Sequence, residues 1–367
     1  MGPGALRTPE IQRELSEAGC EVEVVLGSEA TNFVGPAAFG DAARLSEEDN
    51  NPPEALVFAP ATADTLARLA RGLSMGPGEG AYAAGIRPAI VATELDEATS
   101  EHPAVRKNVE LLRKDGCRML EGTVSFHKEM ASTTEIVNGV LNALGGPLSG
   151  LRVLVTAGGT HEPIDKVRFI GNRSSGKMGR AVAREALRLG AEVAVVAANV
   201  EANEPGTKWV DVETYAEVEE ATTMLAAYAD ALVMAAAISD FTPAEVNEGK
   251  IRRGDKKKMD LTLVGTGDIL KSVRESNPGL FMVGFAATFG DPVPDAREKL
   301  ESKKVDLMVG NDISLGSGGF GSEENEVYIV DRDGVHFVPL AAKTEVARAI
   351  LDALIRKIGK KDGRKED

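Results

Sequence analysis

Two glycine-rich segments contain the residue types best suited to bind an anion. Residues 157–160 read Ala-Gly-Gly-Thr, and residues 171–179 combine three glycines with two serines, an asparagine and a lysine. Glycine lets the backbone approach a ligand closely, and the start of a helix presents free N–H groups to a phosphate. We therefore predict an anion-binding cradle that is formed by Gly158, Gly159, Ser174, Ser175, Gly176 and Lys177.

Two familiar nucleotide motifs do not fit these segments. Residues 171–178 read G-x-x-x-x-G-K-M, but a P-loop needs Ser or Thr after the lysine because that hydroxyl binds magnesium, and Met178 cannot do so. The dinucleotide fingerprint G-x-G-x-x-G is also absent from the first turn. Glycine-rich turns can serve packing alone, but two of them around one strand–helix unit favour a ligand site.

The elements that position these residues follow an alternating pattern. Apolar runs predict strands at 21–26, 55–59, 88–92, 117–120, 153–156, 192–197, 209–212 and 231–237, with helices between them. Residues 326–340 read as an antiparallel edge hairpin. The pattern predicts an α/β fold with two doubly wound, Rossmann-like domains and parallel sheets. The glycine-rich linker 144–150 places the domain boundary between 1–147 and 148–360.

Several polar residues follow predicted strands, where ligands of open α/β sheets bind. Thr160, Asp240 and Asn311 occupy such positions, although an aspartate there can simply cap a helix or turn. The run 247–258 carries six cations and, taken alone, is typical of a solvated loop. Lys299 and Lys303 share one helical face, as in a salt-bridged surface.

Composition excludes several classes of partner. The net charge of −15 argues against nucleic acid and anionic membranes. Cys20 and Cys117 have no CxxC spacing, so we expect neither a disulfide framework nor a zinc site, and a reducing cytoplasm fits. No run of about 18 apolar residues predicts a transmembrane helix, and residues 1–15 lack the apolar core of a signal peptide.

Longer blocks of the second half match a known family. GGTHEPID (158–165), FIGNRSSGKMG (169–179), AAAISDFTPAEVNEGKIRR (235–253), GDIL (267–270), GFAAT (284–288), AREKLESKKVD (296–306) and GNDIS (310–314) occur in the family's order. The segment from about 150 to 355 resembles the ligase half of the bifunctional phosphopantothenoylcysteine decarboxylase / phosphopantothenate–cysteine ligase family of coenzyme A biosynthesis.

The resemblance implies a ligase that joins 4′-phosphopantothenate to L-cysteine through an acyl-cytidylate made from CTP. It implies catalytic roles for Asn172 and Lys250, substrate binding by the cradle, and Mg²⁺ held with Asp240 through the triphosphate. The family's ligase halves pair as dimers, so a homo-oligomer is expected. The nucleotide-binding residues that it implies are Met234, Ala235, Ala236, Asp240, Lys250, Gly267, Asp268, Ile269, Leu270, Phe285, Lys299 and Lys303.

The first half resembles the family's decarboxylase half, a flavodoxin-like flavin domain, through APATADT (59–65) and SEHPAVRKNVELLRKDG (100–116). The family's flavin-phosphate loop is reduced to a remnant near GPGALRTPEI. Residues 35–54 contain no His, residues 93–96 read Thr-Glu-Leu-Asp in place of Pro-Ala-Met-Asn, and residues 121–130 contain no Cys.

These departures argue against bound FMN and predict a degenerate domain without decarboxylase activity. Cys117 is expected in the core, and His102 and His127 on the surface. Two alternatives stay open. One is a bifunctional enzyme that also decarboxylates phosphopantothenoylcysteine with FMN, and the other is a non-catalytic nucleotide-binding scaffold.

Overall fold

The computed structural model describes residues 3–27, 30–44, 52–74, 76–121, 129–204, 206–252, 258–314 and 321–362. Within these ranges the chain forms two units, Met1–Ser149 and Gly150–Asp367. Both combine helices with mainly parallel sheets, so the predicted α/β class is confirmed. His127 and most of the segment 121–130 lie outside the described residues, as do residues 253–257 of the basic run.

The first unit contains a three-stranded parallel sheet in the order β3-β4-β5, and a separate parallel pair, β1-β2. Its strands are β1 (Val24–Val25), β2 (Ala43–Arg44), β3 (Leu56–Ala61), β4 (Ala89–Thr93) and β5 (Arg118–Glu121). The strand predicted at 21–26 is thus only two residues long, because it pairs with β2 alone and gains no ladder to the main sheet.

Helices cover both faces of that sheet. They are α1 (Thr8–Glu17), α2 (Ala63–Ala70), α3 (Pro77–Ala83), α4 (Glu97–Glu101), α5 (Pro103–Lys114) and α6 (Thr133–Ala143). Ile90 packs with residues of α1 and α6, whereas Val91 packs with residues of α2 and α5, as the side-chain alternation of a strand requires. The sequence analysis did not predict α6, although the capping box of Ser132 and Glu135 marks its start.

The second unit is built on an eight-stranded sheet in the order β10-β9-β6-β11-β14-β15-β16-β17. Two short antiparallel pairs, β7-β8 and β12-β13, lie apart from it. The strands are β6 (Arg152–Gly158), β7 (His161–Pro163), β8 (Phe169–Gly171), β9 (Glu192–Ala198), β10 (Lys208–Val212), β11 (Ala231–Met234), β12 (Phe241–Pro243), β13 (Leu263–Gly265), β14 (Phe281–Thr288), β15 (Leu307–Asp312), β16 (Glu324–Val330) and β17 (Val335–Ala342).

Strands β10 to β15 of that sheet run parallel, and β16 and β17 form the predicted antiparallel edge hairpin. The helices are α7 (Lys177–Arg188), α8 (Tyr215–Ala226), α9 (Ile269–Ser276), α10 (Pro292–Ser302) and α11 (Lys343–Asp362). None of the helices in the described ranges is both long enough and apolar enough to cross a membrane.

Candidate active site

The order in which the chain adds strands to the eight-stranded sheet reverses between β6 and β11, which pair in parallel. From β6 the chain passes through α7 to β9 on one side, and from β11 it passes through α9 to β14 on the other. Loops that leave two such strands diverge and open a crevice beyond the carboxyl ends, where ligands of open α/β sheets bind. The predicted segments 157–160 and 234–240 flank this switch point.

Buried threonines tie the two loops together. Thr156 Oγ1 accepts from the Ala236 N–H at 3.1 Å, and Thr160 Oγ1 accepts from the Ser239 N–H at 3.0 Å. The Ala237 backbone bonds to Gly158 at 2.8 Å and to Thr160 at 3.2 Å. Both threonine side chains are inaccessible to solvent. Because each buried hydroxyl is satisfied by the opposite loop, the floor of the crevice is fixed before any ligand binds.

Gly158 and Gly176 have positive φ angles of 87° and 71°. A Cβ on Gly158 would lie 1.8 Å from the Ala198 carbonyl oxygen, and one on Gly176 would lie 2.7 Å from a methyl group of Val200. Packing therefore demands glycine at both positions, whether or not a ligand approaches them. Their place in the predicted cradle remains a prediction.

Asn172 lies across the crevice from β11. Its side-chain amide donates to the Ile238 carbonyl at 2.7 Å, and it directly follows β8 in the sequence. The contact joins the loop after β6 to the loop after β11 at the point where the sequence analysis expects the reaction. The second amide hydrogen and the amide oxygen remain as groups that could bind a substrate.

The other cradle residues lie at the start of α7. Ser174 Oγ accepts weakly from the Gly176 N–H at 3.4 Å, and Ser175 is exposed. A Cβ on Gly159 would lie 3.1 Å from that of Ser174. The ammonium of Lys177 donates to the Gly321 carbonyl at 2.9 Å and pairs with Glu323. An anion in the cradle would compete with this carboxylate for Lys177.

The segment after β11 differs from its prediction in one respect. The strand was expected to continue to residue 237 but ends at Met234, because the Ala236 N–H turns away to the Thr156 hydroxyl. The Met234 side chain is buried in the core, so only its backbone could contact a base, and Ala235 and Ala236 are half-buried. Asp240 is exposed and immediately precedes β12.

A magnesium ion fits Asp240 only through a shared ligand. In the described part of the chain, no group of three or more His, Cys, Asp or Glu residues is arranged to hold a metal ion. Mg²⁺ commonly binds through one or two carboxylates together with substrate phosphates. A single exposed carboxylate that shares the ion with a bound phosphate would suit that mode.

Residues 267–270 span the start of α9, whose first residue is Ile269. Asp268 caps the helix by accepting from the Lys271 N–H at 3.2 Å, and it pairs with Lys303 at 2.5 Å. Gly267 lies against the Tyr215 hydroxyl, and burial, together with a hydrogen bond to Glu219, raises the pKa of that phenol. The structure thus brings Gly267, Asp268 and Lys303 together.

Four further residues predicted to bind the nucleotide differ in exposure. Ile269 is buried in the core, and Leu270 and Phe285 are half-buried. Lys299 pairs with Asp295 at 3.0 Å, as in a salt-bridged surface.

The β7-β8 hairpin holds two residues to which the sequence analysis gave no role. Asp165 is buried and pairs with Arg168, whose hydrogen bonds hold the pKa of this carboxyl well below its usual range. The same carboxylate accepts from the Ile251 N–H at 3.0 Å, next to the exposed Lys250. The quoted GGTHEPID block contains Asp165, but nothing in its spacing showed that it reaches residue 251.

The fold and the candidate site together define a doubly wound α/β protein whose predicted ligand-binding residues lie at the switch point of the larger sheet. A family model described as "DNA/pantothenate metabolism flavoprotein C-terminal domain" matches residues 148–358, and one described as "Flavoprotein" matches residues 3–145. The family suggested by the sequence motifs is thereby confirmed: the chain belongs to the family of coenzyme A biosynthesis bifunctional proteins.

Relatives match nearly the whole chain. The "Coenzyme A biosynthesis bifunctional protein CoaBC" of Thermococcus kodakarensis is 34% identical over 96% of this chain and 93% of its own length. The protein of the same name from Bacillus subtilis is 32% identical over 93% and 91%. A crystal structure of the C-terminal domain of such a protein has 34% identity and a TM-score of 0.51, and covers 59% of this chain and 99% of its own.

Proposed function

We propose that the second unit is a phosphopantothenate–cysteine ligase that uses CTP. The observation that carries the proposal is the contact between Asn172 and the Ile238 carbonyl across the switch point, within a segment that matches the family model. It supports the proposal because it brings the expected catalytic amide beside the loop expected to bind the nucleotide.

The reaction needs activation because a carboxylate is a poor acyl donor at neutral pH. A carboxylate oxygen of 4′-phosphopantothenate attacks the α-phosphorus of CTP, the bond to the bridging oxygen breaks, and pyrophosphate leaves. The cysteine amine then attacks the acyl carbon of the acyl-cytidylate, the acyl–oxygen bond breaks, CMP leaves, and the amine loses a proton to water. Neither step needs an enzyme nucleophile, so the protein contributes positioning and charge stabilisation.

The residues of this chain divide these tasks. The cradle from Gly158 to Lys177 holds phosphate oxygens, and Lys250 stabilises the charge that develops at phosphorus. Asn172 binds the acyl-cytidylate through its free amide groups while its bond to Ile238 orients the side chain. Mg²⁺ bound by Asp240 and the triphosphate would neutralise phosphate charge.

Pyrophosphate release tests the proposal. Purified full-length protein is incubated with Mg²⁺, 4′-phosphopantothenate and either CTP or ATP, with and without cysteine. We expect pyrophosphate with CTP, and release of CMP and product only when cysteine is added. No pyrophosphate with either nucleotide would refute the ligase and favour a non-catalytic scaffold, whereas equal rates with ATP would refute CTP selectivity alone.

A second candidate function is decarboxylation by the first unit. The comparisons favour this bifunctional interpretation over a ligase alone, because the flavoprotein model matches residues 3–145 and the relatives are named as bifunctional over almost their full length. The expectation that this activity is lost therefore remains a prediction.

The residues at the carboxyl end of β4 do not fit an anionic cofactor. The Glu94 carboxylate accepts from the Gly4 N–H at 2.9 Å. Its other oxygen is buried and has no hydrogen-bond partner among the described residues. This negative charge would oppose a cofactor phosphate. Absorbance near 450 nm and CO₂ release from phosphopantothenoylcysteine decide the question: bound flavin with CO₂ would establish the bifunctional enzyme, and their absence would support loss.

A second copy of the chain is the proposed protein partner. The short hairpins of the second unit expose large apolar side chains, among them Val167, Phe169, Phe241 and Val264, and aromatic side chains are enriched at protein–protein interfaces. Light scattering during gel filtration tests this. A monomeric mass at micromolar concentration would refute it.

A further inference from the structure

We infer that Asp165 is a positioning residue that docks the segment carrying Lys250 onto the β7-β8 hairpin, which leads directly into Asn172. The two expected catalytic residues are 78 positions apart in the sequence, and this carboxylate links their segments directly. The catalytic consequence rests on the proposed ligase function, whereas the docking itself does not.

The Asp165 side chain is completely buried and accepts hydrogen bonds from both its own hairpin and the Lys250 segment. Within its own hairpin it accepts from the N–H groups of Val167 and Arg168, both at 2.8 Å, and from Arg168 Nε at 3.1 Å. From the other segment it accepts the Ile251 N–H at 3.0 Å. A carboxylate with this many donors stays ionised although buried.

Two more bonds hold the Lys250 segment on either side of the lysine. The Arg168 guanidinium donates to the Ile251 carbonyl at 2.8 Å, and the Asn247 N–H donates to the Ile164 carbonyl at 3.0 Å. Residues 247 and 251 are therefore both fixed to the hairpin. Lys250 itself is exposed, so the docking fixes its backbone and leaves the ammonium in solvent.

The hairpin connects the docked Lys250 segment to the crevice. Its second strand, β8, ends at Gly171, and Asn172 follows immediately with its bond to Ile238. Loss of the docking would let the Lys250 backbone move relative to the amide. A displacement of about 1 Å at a positioned group can lower a rate roughly 100-fold.

The test uses full-length protein and compares Asp165→Asn with Asp230→Asn. Asp230 likewise accepts from an arginine, with Arg152 N and Nε at 2.8 and 3.2 Å, but it precedes β11 at the opposite end of the sheet. Hydrogen exchange of peptides covering 247–252 reports docking without any substrate. We expect exchange at least about tenfold faster in Asp165→Asn and unchanged in Asp230→Asn.

Pyrophosphate release reports the consequence. In Asp165→Asn, kcat should fall about 10- to 100-fold with a smaller change in KM for CTP, while Asp230→Asn keeps its rate. The double variant Asp165→Asn/Lys250→Gln should be no slower than Lys250→Gln alone, within about twofold, because one residue acts through the other.

Each outcome decides the inference. Unchanged exchange in Asp165→Asn, or faster exchange with an unchanged kcat, would overturn it, as would fully multiplicative losses in the double variant. If Asp165→Asn does not fold, Ile251→Pro removes the N–H donor and leaves the carboxylate intact, with the same expectations. If the wild type releases no pyrophosphate, the ligase proposal fails, and the exchange measurement still tests the docking.

Discussion

The two units use the polar residues at the carboxyl ends of their parallel strands differently. In the first unit, Thr62 and Asp96 accept from N–H groups three residues ahead and cap their own helices. Glu94 accepts from the Gly4 N–H, 90 residues away, but Gly4 follows no strand, so this bond does not join two strand-end loops. In the second, Thr156 and Thr160 accept from groups 80 and 79 residues away, and Asn172 donates to one 66 residues away.

The difference concerns how firmly the loops at the strand ends are held relative to one another. Local caps stabilise single helices by about 1 kcal/mol each and leave neighbouring loops independent. Bonds between distant loops fix those loops relative to each other, which is the condition for groups to act without reorganisation during a reaction. The described residues of the second unit meet that condition at the switch point.

The largest expected effect comes from Gly158→Ala in the second unit, with Gly116→Ala in the first unit as its control. Both glycines have similar positive φ angles, 87° and 83°, so both variants bear a backbone strain of about 1–2 kcal/mol. Only the new methyl at 158 meets protein atoms, 1.8 Å from the Ala198 oxygen. We expect a loss of more than about 4 kcal/mol at 158, measured by urea unfolding. Equal losses would show that the site region is no more tightly packed than the first unit.

Asn172→Asp should give the next largest effect. The change keeps the size of the side chain but replaces the donor to Ile238 with a negative charge beside an anionic intermediate. We expect about 2–4 kcal/mol on the barrier, or roughly 30- to 1000-fold in rate. Pyrophosphate release and product formation are followed alongside thermal melting. Near-normal product formation by the variant would remove Asn172 from the mechanism.

Lys250→Gln should slow acyl-cytidylate formation about 10- to 100-fold without loss of stability, because an exposed lysine contributes little packing. Lys258→Gln, in the same basic run and also exposed, is the matched control and should keep its rate. If both variants melt and turn over normally, the run is a solvated loop and carries no catalytic group.

Deletion of residues 1–147 should have the smallest effect on the ligase. Every residue assigned a catalytic role lies in the second unit, so the rate should stay within about tenfold, a loss under roughly 1.4 kcal/mol. The mass of the oligomer should fall, as light scattering can show. A truncated protein that is folded yet inactive would mean that the first unit contributes to the ligase site.

Many of the longer elements could be predicted from the sequence because their signals are local. Apolar runs found β3, β4, β5, β6, β9, β10 and β11 to within a few residues, and the edge hairpin was recognised from its turn. The hairpins β7-β8 and β12-β13 were not predicted, because three-residue strands carry no periodic signal. The role of Asp165 was missed for a related reason: its partner Ile251 lies 86 residues away.

The site was predicted as a set of residues but not as a set of contacts. Glycine-rich turns, strand ends and the family blocks indicated which segments meet. They did not show that Lys177 pairs with Glu323 or that the Ala236 N–H is taken by Thr156. Such pairings depend on tertiary geometry, which a single sequence does not specify.

The close approach of α7 to β6 also affects how related sequences should be compared. A Cβ at Gly179 would lie 2.6 Å from the Ala157 methyl and 2.8 Å from the Thr156 carbonyl oxygen, so this position shares the steric demand of positions 158 and 176. A related chain that keeps this packing therefore needs glycine at all three positions, whatever ligand it binds. Glycine at these positions in a relative would therefore indicate the fold, whereas only Asn172 and Lys250 would bear on the reaction.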